Sequence, residues 1–491
     1  MGRHHNHTDE SDDSKDHCHK RRGTKYVKKD TSDNDSYYKK GTRENPFASL
    51  LEAELDGKWK ELVVLASVPC YGPLDGGLKL KDGQKLVGEG ADPTAVGNVN
   101  KAWITNTTDR LDGYVLVTDG DNEVNNLLIG EEKKEIKGDD IINARKSGNL
   151  TLCNLKIVEN REEGDNRTVL KATDNDKDGS IVLNCVESIS VRDGVDLSTK
   201  GRVNKYLCLF NTKFQGLFRE AIRAIAKEKS EISVRLDNVK LGISSSGMVS
   251  PSGIVLKTED EGSIPEMIIN ESTILSLSSI RYLPVFPDVC GKHKGKLIMT
   301  KCVTRTVSII PGGKADVLVV LKDNKISAGK PDESLLLSPG KDINLRGSIK
   351  RNVISGESVK LGGNGKMHLK LYDNKISPSL DIDDSDTLEL SIKAQNNTIS
   401  AIRPEFTAMV VGELTREHVL DFGGGKLNSK GYNSILVVDP LTTFNATINS
   451  NGFVAQKNWW GLNGPNIQTG PGVTVDVSKP LLKPPQQFCD C

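Results

Sequence analysis

The chain has 491 residues, 66 Lys+Arg against 66 Asp+Glu, 46 Gly and only 5% aromatic residues. Zero formal net charge excludes the global basic field that draws proteins to nucleic acid or anionic lipid. No stretch approaches the ~18 apolar residues of a membrane span. The mixture suits many short strands and tight turns rather than helix bundles.

Residues 1–44 contain almost nothing apolar. An acidic stretch, Asp9 to Asp16, precedes a basic run of Lys20, Arg21, Arg22, Lys25, Lys28 and Lys29, and five of the eight histidines (His4, His5, His7, His17, His19) lie here. Such a segment cannot bury enough surface to offset its ordering entropy, so it reads as a disordered polar arm. It also lacks the apolar h-region of a secretory signal, and the nine cysteines are scattered singly apart from Cys489 and Cys491. The expectation is therefore synthesis in the cytosol with reduced thiols, Cys153, Cys185 and Cys208 serving as small core residues. Residues 45–65 read as an N-terminal cap: a short amphipathic helix around Phe47 to Ala53, then a first strand, Leu62-Val-Val-Leu65.

From 66 to 470 the chain repeats. Thr168-Val-Leu-Lys-Ala172 … Ile181-Val-Leu-Asn184, Gly194-Val-Asp-Leu … Leu207-Cys-Leu-Phe-Asn211 and Ala221-Ile-Arg-Ala … Val234-Arg-Leu-Asp-Asn238 follow at offsets of 27 (211 − 184 and 238 − 211). Each is an alternating strand, a polar turn, a second alternating strand, then Asn. Barer copies end at Asn324, Asn352, Asn374 and Asn397, and the step of 54 from Asn270 to Asn324 hides one rung that turns at Lys301-Cys302. A period in this range with strand-turn-strand content marks a solenoid, and two-residue steps between apolar positions send one face inward. The turn Asn, at 154, 184, 211, 238, 270, 324, 352, 374 and 397, is expected to take the left-handed conformation that Asn tolerates, and to hydrogen-bond along the stack. Leu217, Phe218, Ala221, Ile222 and Ile225 also fit helical spacing, but alignment with both neighbours favours a strand over Ile222 to Ala226.

The fold expected is all-β, a single-stranded right-handed parallel β-helix of about 16 rungs, ~75 Å long at ~4.8 Å per rung, with 471–491 as a C-terminal extension. Its two ends carry a family resemblance. Gly41-Thr … Asn45-Pro46-Phe47 resembles the N-terminal cap of the pectate-lyase-like superfamily of right-handed parallel β-helices. Asp421-Phe-Gly423-Gly-Gly followed by Asn458-Trp459-Trp460-Gly461 … Gly464-Pro465 is similar to the terminal rungs of polymorphic-outer-membrane-like and autotransporter-like β-helices. That likeness implies two Trp covering the last rung and little about function, because the fold hosts lyases, hydrolases, adhesins and viral spikes.

An active polygalacturonase of this superfamily would carry Gly-His-Gly and Arg-Ile-Lys motifs. Gly138-Asp139-Asp140 stands here without them, and outside the arm only His293, His368 and His418 remain. Carboxylate runs at Asp119, Asp121 and Glu123 and at Asp381, Asp383, Asp384 and Asp386 read as solvated turns, although carboxylates on neighbouring rungs have the spacing an inverting glycosidase needs. Asp174-Asn-Asp176-Lys-Asp178-Gly179 matches the first half of an EF-hand loop, with Cys185 where the bidentate Glu belongs. Asp174, Asp176 and Asp178 are thus the candidate metal ligands, for Ca²⁺ held weakly; no catalytic or cofactor-binding residue is assigned. The expected function is a non-enzymatic structural or surface-recognition protein, a component of a particle such as the virion of a large DNA virus, otherwise cytoplasmic. Its partner would be a protein or carbohydrate surface, without specific nucleic acid. The alternative is a carbohydrate-binding or polysaccharide-cleaving β-helix.

Overall fold

The computed structural model describes residues 23–29, 41–66, 72–94, 100–131, 136–138, 140–159, 167–189, 193–216, 220–243, 250–286, 293–328, 333–377, 379–401, 407–438 and 444–485. The chain winds as a parallel β-helix with three ladders. Along the first, Leu207 stacks on Val234, then Met267, Leu297, Val319, Gly347, Leu369, Ile392, Leu420 and Phe453, one inward residue per turn. The second carries Phe214, Leu241, Ile274, Thr304, Ile326, Ile354, Ile376, Ile399 and Ile435 in register. The third runs through Val195, Ile222, Ile254, Ile280, Val307, Leu335, Val359, Leu380, Met409 and Ala446. These inward side chains are buried and form one continuous core. At roughly 1.5–3 kcal/mol for each fully buried aliphatic side chain, this stack is the main force holding the rungs together. Within the stretch with competing helical spacing, Glu220–Ala226 is a strand; Leu217 and Phe218 lie outside the described residues.

Alternation explains the strands. In Lys366–Tyr372, Met367, Leu369 and Leu371 are buried while Lys366, His368 and Lys370 are exposed. Gly347 breaks the inward row for a packing reason: a Cβ there would lie 2.4 Å from Leu369 Cδ2, which fills the space.

The corner between the first and second ladders differs from expectation. A left-handed residue occurs on each of these rungs, but it is Asn only at Asn126, Asn154, Asn211, Asn238 and Asn396; elsewhere it is Cys185, Glu271, Lys301, Asp323, Arg351, Asp373, Tyr432 or Lys457. Asn184 and Asn270 precede that position, and Asn324, Asn352, Asn374 and Asn397 follow it. The residue after the left-handed one points inward. Leu127, Leu155, Val186 and Val239 fill it early in the stack, and from Asn324 onward six buried amides do: Asn324, Asn352, Asn374, Asn397, Asn433 and Asn458. The first five each donate through Nδ2 to the next Oδ1 at 2.9–3.0 Å, and all six Nδ2 groups also reach a backbone carbonyl, as Asn374 does to Ile349 at 2.8 Å and Asn458 to Phe422 at 3.0 Å. The hydrogen-bonded ladder is therefore real, but its later members run inside the corner.

The N-terminal boundary also needs correcting. Thr24–Val27, inside the segment expected to be an unstructured arm, pairs in parallel with Glu61–Leu65 and opens the first ladder. Val27 is fully buried and bridges Phe47. Four residues with one apolar inward side chain suffice here because a complete strand edge is waiting for them. The remainder of 1–44, including the five histidines, lies outside the described residues apart from Gly23, Lys28, Lys29 and 41–44. The cap helix is Leu50–Asp56; Ser49 accepts from Glu52 N at its start, left-handed Gly57 closes it, and the Trp59 indole donates to Ala53 O at 2.7 Å. Deleting residues 1–44 is accordingly expected to lower the melting temperature, since it uncovers the Glu61–Leu65 edge; an unchanged thermal transition would contradict the pairing.

At the other end the stack passes residue 470. Ile467–Thr469 pairs with Ala446–Ile448 and Val475–Asp476 with Phe453–Ala455, so the expected extension begins as ladder. Trp460 is buried over the final core residues, while Trp459 is half-buried and bridges Ser434. Cysteines differ too: Cys185 is exposed, Cys153 and Cys208 are intermediate, and among the described residues the buried one is Cys302, whose thiol burial pushes up to about 11.

Candidate functional site

The acidic turn read as a calcium loop is built differently. The strand Thr168–Asn175 ends with Asp174 left-handed and Asn175 buried; the Asn175 amide donates to Ala144 O and Ser147 O, and its Oδ1 accepts from Lys177 N. Asp174 then meets Lys227 Nζ at 3.1 Å, and Asp178 Oδ1 accepts from Asn204 N at 2.6 Å. Asp176 is exposed. Among the described residues no group of three or more His, Cys, Asp or Glu side chains is placed to hold a metal ion.

The cation at this corner is the chain's own. Lys205 is 1% exposed, and its Nζ donates to Ser147 O at 2.7 Å, Gly148 O at 2.6 Å and Lys177 O at 3.2 Å. Burial pushes its pKa down to about 8, with Asp121 and Asp178 opposing. Lys205→Met is expected to cost about 1–3 kcal/mol, the penalty for buried carbonyls left without a donor. Because the unfolded chain holds this proton more tightly than the fold, raising the pH from about 8 toward 10.5 favours the folded wild type. The gap between wild type and variant should widen across that window in thermal scans; a gap that narrows would contradict it.

The other carboxylates are engaged rung to rung. Asp121 accepts from Asn149 N at 2.8 Å, which holds its pKa below the usual range, Asp119 lies 3.7 Å from Lys177, and Glu123 pairs with Lys85 at 2.6 Å. Burial pushes Asp381 up while Ser379 donates to it; Asp383 meets Lys360 at 3.4 Å and Asp384 accepts from Glu413 N. Asp140 is buried beside Lys171 at 2.9 Å; Asp139 lies outside the described residues. His418 sits between Arg416 O and Asn451 O. These groups are held in the walls of the rod by the partners named.

A site not singled out from the sequence lies on the outer face of the first ladder. Register places Arg346, His368 and Ser391 in one column and Ser348, Lys370 and Lys393 in the next, two residues along. They line a groove of ≈ 480 Å³, with Leu318 at one end and Leu427 overhanging the other. Leu427 belongs to the loop 423–431, which wraps a fully buried carboxylate: Asp421 Oδ1 accepts from Gly423 N and Gly425 N at 3.0 Å, and Oδ2 from Leu427 N at 2.8 Å and Ser429 N at 3.1 Å. The Asp-Phe-Gly-Gly-Gly stretch thus folds a rigid wall for the groove; Gly424, at φ 77°, makes the left-handed step that starts it. Lys393 is in register with Asp421, but that carboxylate is saturated by amides.

No family model, curated protein or solved structure matches the chain; the parallel β-helix is read from its own strand pairings.

Proposed function

We propose that this chain is a non-enzymatic structural rod that presents its outer sheet faces to a partner as a component of an assembled particle, a virion of a large DNA virus being the particle meant. The observation that supports this is how the polar side chains are used. Lys85–Glu123, Lys213–Glu187, Arg223–Asp196, Lys296–Glu266 and Lys366–Glu389 join register partners on adjacent rungs at 2.6–3.1 Å, and the buried amides do the same inside the corner. Each exposed pair contributes at most about 1 kcal/mol; their common effect is to lock each rung against slipping past the next. Glycoside hydrolysis wants two carboxyl groups facing a sugar from opposite sides, whereas most of the carboxylates named above are engaged by neighbours.

The test combines location and activity. Fractionation is expected to find the protein in purified particles, and incubation with neutral and acidic polysaccharides to release neither reducing ends nor unsaturated sugars. Sugar release, or recovery in a cell-surface fraction without particles, would overturn the reading.

A further inference from the structure

The groove on the first ladder gathers cations that lack acidic partners. Elsewhere many charged register partners are opposite in sign and pair; where like charges do stack, Lys213 on Lys240 and Lys322 on Lys350, one member has an acid, Glu187 at 3.0 Å or Asp323 at 3.9 Å. Here Lys370 stacks directly on Lys393, and Arg346 on His368. Among the described residues none of these four has an ion pair: Glu389 is taken by Lys366 at 2.6 Å and Arg416 at 3.9 Å, and Asp421, in register with Lys393, is saturated by amides. Like charges directly opposite one another on a sheet destabilise it. Departures from local rules are expected at functional sites.

We propose that this groove binds a small anion carrying two or more phosphate groups. Arg346 supplies a planar fork suited to phosphate oxygens, Lys370 and Lys393 supply point charges, and Ser348 and Ser391 supply hydroxyl donors between them. The site is bounded. Leu318 and Val320 replace the cations one rung toward the N-terminus, and the Asp421-anchored loop closes the other end. The cationic grid therefore spans three rungs, about 10 Å at ~4.8 Å per step. A volume of ≈ 480 Å³ is that of a small-molecule site and too short to track a nucleic-acid strand. The inference is independent of whether the rod is a particle component.

The experiment is calorimetric titration of the full-length chain with sodium tripolyphosphate at low salt, alongside orthophosphate, a short single-stranded oligonucleotide and an oligogalacturonate. Tripolyphosphate is expected to bind most tightly and to weaken as salt is raised. Lys370→Gln/Lys393→Gln should weaken it by about tenfold or more, the equivalent of one charge-assisted contact at 1.4 kcal/mol per decade, and should leave the melting temperature unchanged or raise it by relieving the stacked charges. Arg346→Gln should weaken it similarly, whereas Lys240→Gln, on the second ladder, should not. Binding that survives the double variant, absence of binding at millimolar tripolyphosphate, tighter binding of either polymer, or a lower melting temperature in the double variant would each overturn the proposal.

Discussion

Asn374→Ala is expected to lower the unfolding free energy by about 3–5 kcal/mol, because several buried polar groups lose partners at once. Asn374 Oδ1 accepts from both the backbone N and the Nδ2 of Asn352 at 3.0 Å, while its own Nδ2 donates to Ile349 O at 2.8 Å and Asn397 Oδ1 at 2.9 Å. The side chain is 1% exposed, so water cannot take over these bonds. The comparison is its neighbour: Asn396→Gly removes one 3.2 Å contact to Asp373 from an outer, left-handed position that Gly adopts freely. That change should cost only a few tenths of a kcal/mol. Denaturant unfolding of the two variants decides the matter; equal losses would mean that the inner ladder carries no special weight.

Asp421→Ala should be of similar size, about 3–5 kcal/mol, since it strips the acceptor from four amides that converge on one buried carboxylate. The damage should be local. Hydrogen exchange should show protection lost at Gly423, Gly425, Leu427 and Ser429 while the amides of Lys366–Tyr372, paired on both sides, keep theirs. Asp421→Asn, which retains an oxygen but adds an NH₂ facing donors, should fall between. A loss below about 1 kcal/mol in the alanine variant would show that the loop is held by something other than this carboxylate.

Much of the architecture is present in local pattern. Two-residue alternation in Lys366–Tyr372 or Glu231–Asp237 specifies which side chains turn inward, the recurrence of that pattern specifies the winding, and Ser49 with Gly57 brackets the cap helix. Even the basic grid is legible once the buried Asn residues are aligned: four positions before Asn352, Asn374 and Asn397 stand Ser348, Lys370 and Lys393, and six before stand Arg346, His368 and Ser391. The corner period alone does not display it, because outward residues form columns only when the rungs stack.

What the local pattern does not contain is any choice that depends on a neighbouring rung. Asn and Asp both tolerate the left-handed region, so nothing within Asp323-Asn324 says which residue turns, and in Asn184-Cys185 it is Cys185, the residue with the weaker local preference, that does. The inward position decides. Asn154 and Asn238 turn because Leu155 and Val239 then enter the core; Asp323 turns because Asn324 then meets Asn352. Thr24–Val27 is polar enough to stay unpaired alone and becomes a strand because Glu61–Leu65 offers an open edge. The acidic turn was read as a metal loop because its own residues are acidic, yet the cation at its corner is Lys205, whose carbonyl partners at Ser147, Gly148 and Lys177 come from two other rungs. Composition and period determined that this chain is a parallel solenoid with an apolar interior, since burial of alternating side chains is a property of each strand. Corner register, buried cation and saturated carboxylate were decided only by the stacked structure, because each is a contact between residues that winding brings together.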